Sequence, residues 1–192
     1  MKKALSRSIA IIIIISISII AGFVIDDICD AIDRKTHPRT YSEYVEKYSA
    51  LYGVPQAVIY DTIRTESEFV SNAVSSAGAV GLMQIMPDTF RWLCEKTGEA
   101  LEDGMLYDPE TNIRYGTYYL SYLYSEFGLW ETVYAAYNCG PGRVKEWQSI
   151  EEYADTNGVL INIPFEETSE YVKKVSKAVG IYEKLYFKEI DK

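Results

Sequence analysis

Histidine is nearly absent from this chain: His37 is the only one in 192 residues. It sits beside Pro38 in a charged stretch without hydrophobic periodicity. Ser-His-Asp and Cys-His catalysis both need a positioned imidazole, so neither is a serious candidate. Cysteine is scarce as well. Cys29, Cys94 and Cys139 are odd in number and carry no CxxC or Cys/His spacing. That argues against a zinc site or a disulfide framework; one Cys94–Cys139 bond stays open beside the reading of small buried thiols. No metal or organic cofactor is indicated. Basic residues are outnumbered, 19 Lys and Arg against 28 Asp and Glu, and Lys2, Lys3 and Arg7 take three of the cations to the extreme N-terminus. The remainder is more acidic still, and no nucleic-acid partner is expected, since phosphate binding needs clustered Lys and Arg. Runs of paired strands and internal repeats are also lacking.

A long hydrophobic run is present. Ser8 to Ile25 carries no charge before Asp26-Asp27 stops it, and as a helix it would span roughly 27 Å, close to the hydrocarbon thickness of a bilayer. Two readings compete, a cleaved signal peptide and a retained anchor. The run exceeds a usual signal h-region, and Ile20-Ala21-Gly22 is the nearest approach to a cleavage site, which favours the anchor. Lys2, Lys3 and Arg7 then mark residues 1–7 as a cytoplasmic tail, residues 8–25 as the single span and everything beyond as extracytoplasmic; cleavage would instead secrete the domain. Residues 26–40 read as a short tether, and a globular domain is expected over residues 41–188.

That domain reads as mainly α-helical. Tyr44, Val45, Tyr48 and Leu51 fit an amphipathic helix ended by Gly53, and Pro55 suits the first turn of the next. Small residues from Val70 to Pro87 predict a tightly packed loop. Helical spacing resumes over Thr89–Lys96, closed by Gly98. Asp108-Pro109 supplies a cap and a first-turn proline to a helix with Ile113, Gly116, Leu120, Leu123 and Phe127 on its core face. Trp130–Tyr137 is a short apolar helix running into the stop signal Asn138-Cys139-Gly140-Pro141-Gly142. Pro164 precedes a last helix with Tyr171, Val172, Val175, Val179, Tyr182 and Leu185 buried.

Glu66 stands out. Val58, Ile59, Thr62 and Ile63 make one stripe at helical spacing, and Glu66 follows Ile59 by seven residues and Ile63 by three. A carboxylate aimed at a core must be paired or have its pKa raised until it holds a proton near neutrality, and a protonated carboxyl is a general acid. Glu68 lies about 200° further round the helix and is expected to pair with Arg64. Asp61, Asp108 and Glu131 read as acids at helix starts or on exposed faces. Glu167 is the one acid not set aside as a second catalytic carboxylate.

Four segments in order, Glu66-Ser67-Glu68-Phe69, Gly78 to Pro87, Ala135 to Gly142 and Ile163 to Val172, resemble the soluble lytic transglycosylase family with its lysozyme-like fold. The resemblance spans roughly Tyr41 to Lys188. It implies a single lysozyme-like domain acting on the glycan strands of peptidoglycan, cleaving the β-1,4 bond between N-acetylmuramic acid and N-acetylglucosamine to leave a 1,6-anhydromuramoyl end. Glu66 would act first as acid and then as base. Ser75, Gln84 and Tyr171 would orient the carboxyl or an N-acetyl group, Tyr137 and Asn138 would face the cleft as substrate-binding residues, and Met83 and Met86 would line a sugar subsite. Cys139 stands where small residues are usual. Two alternatives remain: a muramidase using water on the same fold, and a noncatalytic peptidoglycan-binding or scaffold protein. Any secretion or cell-wall assembly that it serves is not readable.

Overall fold

A computed structural model describes residues 2–187, with side chains from residue 13 onward. It consists of two compact units that divide between Pro38 and Arg39. The first holds helix α1, Lys2–Thr36. Residues 26–36, read as a tether, continue this helix. No glycine or proline interrupts them before Pro38, and Arg34 and Lys35 in the last turn suit the negative end of the helix dipole. Ile13, Ile14, Ile17, Ile20 and Phe23 are exposed along it. Among the described residues no helix is long and apolar enough to cross a membrane. Part of the span expected over residues 8–25 lies in residues 2–12, whose side chains fall outside that description, as do Met1 and Lys188.

Among the described residues the second unit holds seven helices: α2 Ser42–Tyr52, α3 Gln56–Ser67, α4 Pro87–Thr97, α5 Pro109–Phe127, α6 Trp130–Cys139, α7 Pro141–Gln148 and α8 Glu166–Tyr182. A 3-10 turn, Asp103–Tyr107, leads into α5, and a π turn, Glu183–Phe187, comes after α8. Isolated bridges at Val74–Val80, Val80–Ile85 and Ala154–Leu160 are the strand-like pairings among the described residues, so the mainly α reading holds.

Local signals explain most boundaries. Gly53 and Gly98 take positive φ to close α2 and α4, and the Asp108 side chain accepts from Thr111 N at 2.8 Å to cap α5. Two elements differ from expectation. Leu51 is exposed, because Tyr52 takes the inward place in that turn: its carbonyl accepts from Ser121 Oγ at 2.8 Å and its ring lies 5.3 Å from Tyr118. Gly140-Pro141 stops α6 as expected, yet Pro141 at once starts α7, which buries Val144 and Trp147. A proline at the first helical position costs no hydrogen bond, so one dipeptide ends one helix and opens the next.

The core gathers around α3. Ala57, Val58, Ile59, Tyr60, Asp61, Thr62 and Ile63 are all buried, so this helix is enclosed on every side over two turns. Each buried Ile contributes about 1.5–3 kcal/mol relative to exposure. That enclosure fixes the position of Glu66, near the end of the same helix.

Candidate active site

Glu66 lies in the last turn of α3, where the helix leaves the core, and is half-buried. Ser67 then donates from Oγ to Leu82 O at 2.8 Å, tying the helix end to the loop before α4. Glu68 and Phe69 both take left-handed backbone, φ 51° and 66°, and stop the helix without glycine. Glu68 is therefore the helix cap and not the expected partner of Arg64. Arg64 Nε pairs with Asp61 at 3.1 Å. Asp61 is itself a correction, since its side chain is completely buried. Burial pushes its pKa up to about 6, against the pull of Arg64.

Burial also dominates at Glu66, raising its carboxyl to about 7; the Tyr171 hydrogen bond and the charge of Lys174 both oppose that rise. Tyr171, brought in by α8, donates from Oη to Glu66 Oε1 at 2.5 Å. Oε2 has no hydrogen bond among the described residues. Tyr137, on α6, also feels the Glu66 charge, and burial with that charge holds the phenols of Tyr137 and Tyr171 well above the ordinary tyrosine range. Among the described residues no second carboxylate acts on Glu66.

Tyr137, which feels the Glu66 charge, is tied to the loop of residues 68–86. Its Oη donates to Met83 O at 2.7 Å, and Met83 N donates to Asn112 Oδ1 at 2.7 Å. Asn112, buried at the start of α5, also donates from Nδ2 to Val80 O at 3.0 Å and Leu106 O at 2.8 Å. Gly81, at φ 81°, lies against this amide, and a side chain there would collide with Asn112 and the Leu106 carbonyl. The close approach is thus to protein.

The remaining candidates separate. Gln84, Met86, Tyr137 and Asn138 line one cleft of about 270 Å³ together with Ile85, Thr89, Tyr119, Cys139 and Gly140. Gln84 adopts φ 47° and spends its Nε2 on Ala73 O and Gly81 O at 3.1 and 2.9 Å, so its Oε1 is the atom left for a ligand. Met83 does not line a subsite: its side chain is fully buried against Gly116, and it serves the site through its backbone. Ser75 is exposed, and its Oγ accepts from Ala79 N at 3.0 Å, which makes it a loop-shaping residue. Asn138 Oδ1 accepts from Thr168 Oγ1 at 2.8 Å. Asn138 and Cys139 also border a second, open depression with Arg143, Pro164, Phe165, Glu166 and Glu167. Glu167 is exposed there. Cys94 and Cys139 are free thiols.

Sequence reasoning missed Asn112, Tyr119 and Thr168. Asn112 carries a signal, a polar residue directly before Ile113 on a core face. Thr168 lies within the Ile163–Val172 segment, but a threonine in the first turn of a helix gives no sign of the amide it meets.

Residues 43–159 match the family model described as Transglycosylase SLT domain; Tyr171 lies beyond that match. The chain is 38% identical over 144 residues to the soluble lytic murein transglycosylase of Escherichia coli K12, covering 72% of this chain and 22% of that protein. It is 31% identical over 169 residues to the membrane-bound lytic murein transglycosylase C of Mannheimia succiniciproducens, covering 75% of this chain and 47% of that one. Among solved structures, it matches the 70 kDa soluble lytic transglycosylase of E. coli with a TM-score of 0.72 and 36% identity, covering 79% of this chain and 25% of that chain. A structure of that enzyme type in complex with bulgecin A matches at the same TM-score, 0.72, with 35% identity, covering 79% of this chain and 25% of that chain. The chain thus spans less than half the length of each of these proteins, and its second unit has their lysozyme-like helical fold.

Proposed function

Because this chain belongs to the transglycosylase SLT domain family, we propose that it is a peptidoglycan lytic transglycosylase that cleaves the bond between N-acetylmuramic acid and N-acetylglucosamine without water. The observation that carries the reading is Glu66, a carboxyl raised to about 7, with one oxygen held by Tyr171 and no second carboxylate acting on it among the described residues. Protonated Glu66 gives its proton to the glycosidic oxygen as the bond to C1 breaks. The resulting carboxylate then takes the proton of the muramoyl C6 hydroxyl while that oxygen closes on C1. Glu66 ends as it began, protonated, and the sugar keeps an internal ether in place of the lost bond. The nucleophile belongs to the substrate, so no second acid is needed to position water.

Gln84, Met86, Tyr137 and Asn138 hold the sugar in the cleft that they line, and residues 41–188 form the catalytic domain. The uncharged run Ser8–Ile25 after Lys2, Lys3 and Arg7 supports a signal anchor with that domain outside the membrane, in keeping with a relative named as membrane-bound. Membrane fractionation of the full chain tests the anchor; recovery of a shortened, released product means cleavage instead.

Mass spectrometry of products from purified peptidoglycan tests the reaction. Wild type yields 1,6-anhydromuramoyl ends, and Glu66→Gln lowers the yield by orders of magnitude while glycan binding persists. Reducing ends would mean a muramidase, with Glu167 as the acid to examine. Binding without cleavage by wild type would mean a noncatalytic peptidoglycan-binding protein.

A further inference from the structure

The cleft lined by Gln84, Met86, Tyr137 and Asn138 has a wall that continues past its rim as aromatic surface. Thr89 on α4 and Tyr119 on α5 line the cleft. One turn further along each helix stand Trp92 and Tyr122, on the same faces at i+3 spacing. Trp92 packs edge-to-face on Tyr119, with ring centroids 6.4 Å apart, and on Tyr122, 4.9 Å apart. Tyr119 in turn meets Tyr137 at 5.3 Å. An unbroken row of rings therefore runs from Tyr137, whose phenol feels the Glu66 charge, out to Tyr122. Trp92 and Tyr122 are half-buried, so both keep ring surface in solvent. Lys96, one turn beyond Trp92, holds its ammonium 4.8 Å from the Trp92 ring and 5.4 Å from the Tyr122 ring.

We propose that Trp92 and Tyr122 form an outer sugar subsite that binds an N-acetylhexosamine of the same glycan strand, beyond the units held in the cleft. The chemistry fits that occupant. A pyranose presents a face of C–H groups that packs on an aromatic ring, and hydroxyls at its rim that remain solvated. The strand is a continuous polymer, so a ring platform contiguous with the cleft wall lies on its path. Lys96 is a flexible cation that lies over the platform and swings aside when sugar arrives, since an exposed cation–π contact is weak. The inference rests on glycan being the ligand of the cleft, but not on the chemistry carried out there.

Calorimetric titration of the full chain carrying Glu66→Gln with N-acetylglucosamine trimer and hexamer tests the proposal without turnover. The hexamer is expected to bind roughly tenfold more tightly than the trimer. Adding Trp92→Leu collapses this ratio toward one, and Trp92→Phe restores part of it. A ratio that survives Trp92→Leu, an equal fall for both oligomers, or no length dependence to begin with overturns the subsite. Because cleavage is never read, failure of the transglycosylase reaction and failure of the subsite are separate results.

Discussion

The phenol of Tyr171 reaches Glu66 across 105 residues of sequence and donates to Oε1 at 2.5 Å. The contact favours the carboxylate, opposing the burial that favours the acid. Tyr171→Phe should therefore move the Glu66 pKa higher and carry the alkaline limb of the rate profile with it. Loss of a charge-assisted hydrogen bond of about 1.5–3 kcal/mol should also lower kcat by roughly 10- to 100-fold. A limb that stays put or moves to lower pH would show that Tyr171 does not act on the acid.

The wild-type rate itself should depend on pH with a defined sign. In the proposed mechanism Glu66 must be protonated to start the reaction, and burial raises its carboxyl to about 7. Turnover of solubilised glycan strands should thus fall about tenfold per pH unit above that point. A profile flat to pH 9 would remove Glu66 from the role of acid.

Stability should track the same groups. Folding raises the carboxyls of Glu66, to about 7, and Asp61, to about 6. The folded state therefore prefers both protonated, and their contribution is complete below the ordinary carboxyl range and lost as pH rises through 6 to 7. For Glu66 alone the loss is on the order of 1–3 kcal/mol. Glu66→Gln should match wild type in urea midpoint at pH 4 and exceed it at pH 8. An equal difference at both values would mean that burial does not act through this proton.

At the loop, Gly81→Ala should cost about 2–4 kcal/mol, because a methyl there meets the Asn112 amide and the Leu106 carbonyl on a backbone at φ 81°. Gly78 also has positive φ, 89°, but opens on empty space, so Gly78→Ala should cost only about 1 kcal/mol. Denaturant melts of the two variants decide the matter, and equal losses would contradict the packing role of Asn112.

Thr168 fixes the Asn138 amide by donating to its Oδ1, and Asn138 lines the cleft. Thr168→Val should raise KM several-fold with kcat nearly unchanged, the signature of lost ground-state binding. A fall in kcat at constant KM would place Asn138 in the transition state instead.

Helix punctuation was legible in the sequence because it is local chemistry: Gly53, Gly98 and Asp108 act within one turn of where they stand. Asp61 was not legible, since the amphipathic rule assumes a helix with one solvent face, whereas α3 is enclosed from Ala57 to Ile63. The same enclosure left Glu66 at the edge of the core and not inside it. Met83 misled because residues 79–83 of its loop are buried as deeply as a helix, held by the Asn112 amide far along the chain. The helix that Pro141 starts directly after Gly140 was hidden by its shortness, with Val144 and Trp147 as its only buried residues. The Glu66–Tyr171 pair joins two helices whose order gives no register, and motif resemblance alone brought Tyr171 into consideration.

The two left-handed residues that end α3, Glu68 and Phe69, have an electrical consequence. By stopping the helix just after Glu66, they leave this residue in the last turn of α3, where the end carbonyls carry the partial negative charge of the helix macrodipole. Beyond burial, the backbone itself then discourages a second negative charge at that point, so a turn strained by two left-handed residues also helps Glu66 retain its proton.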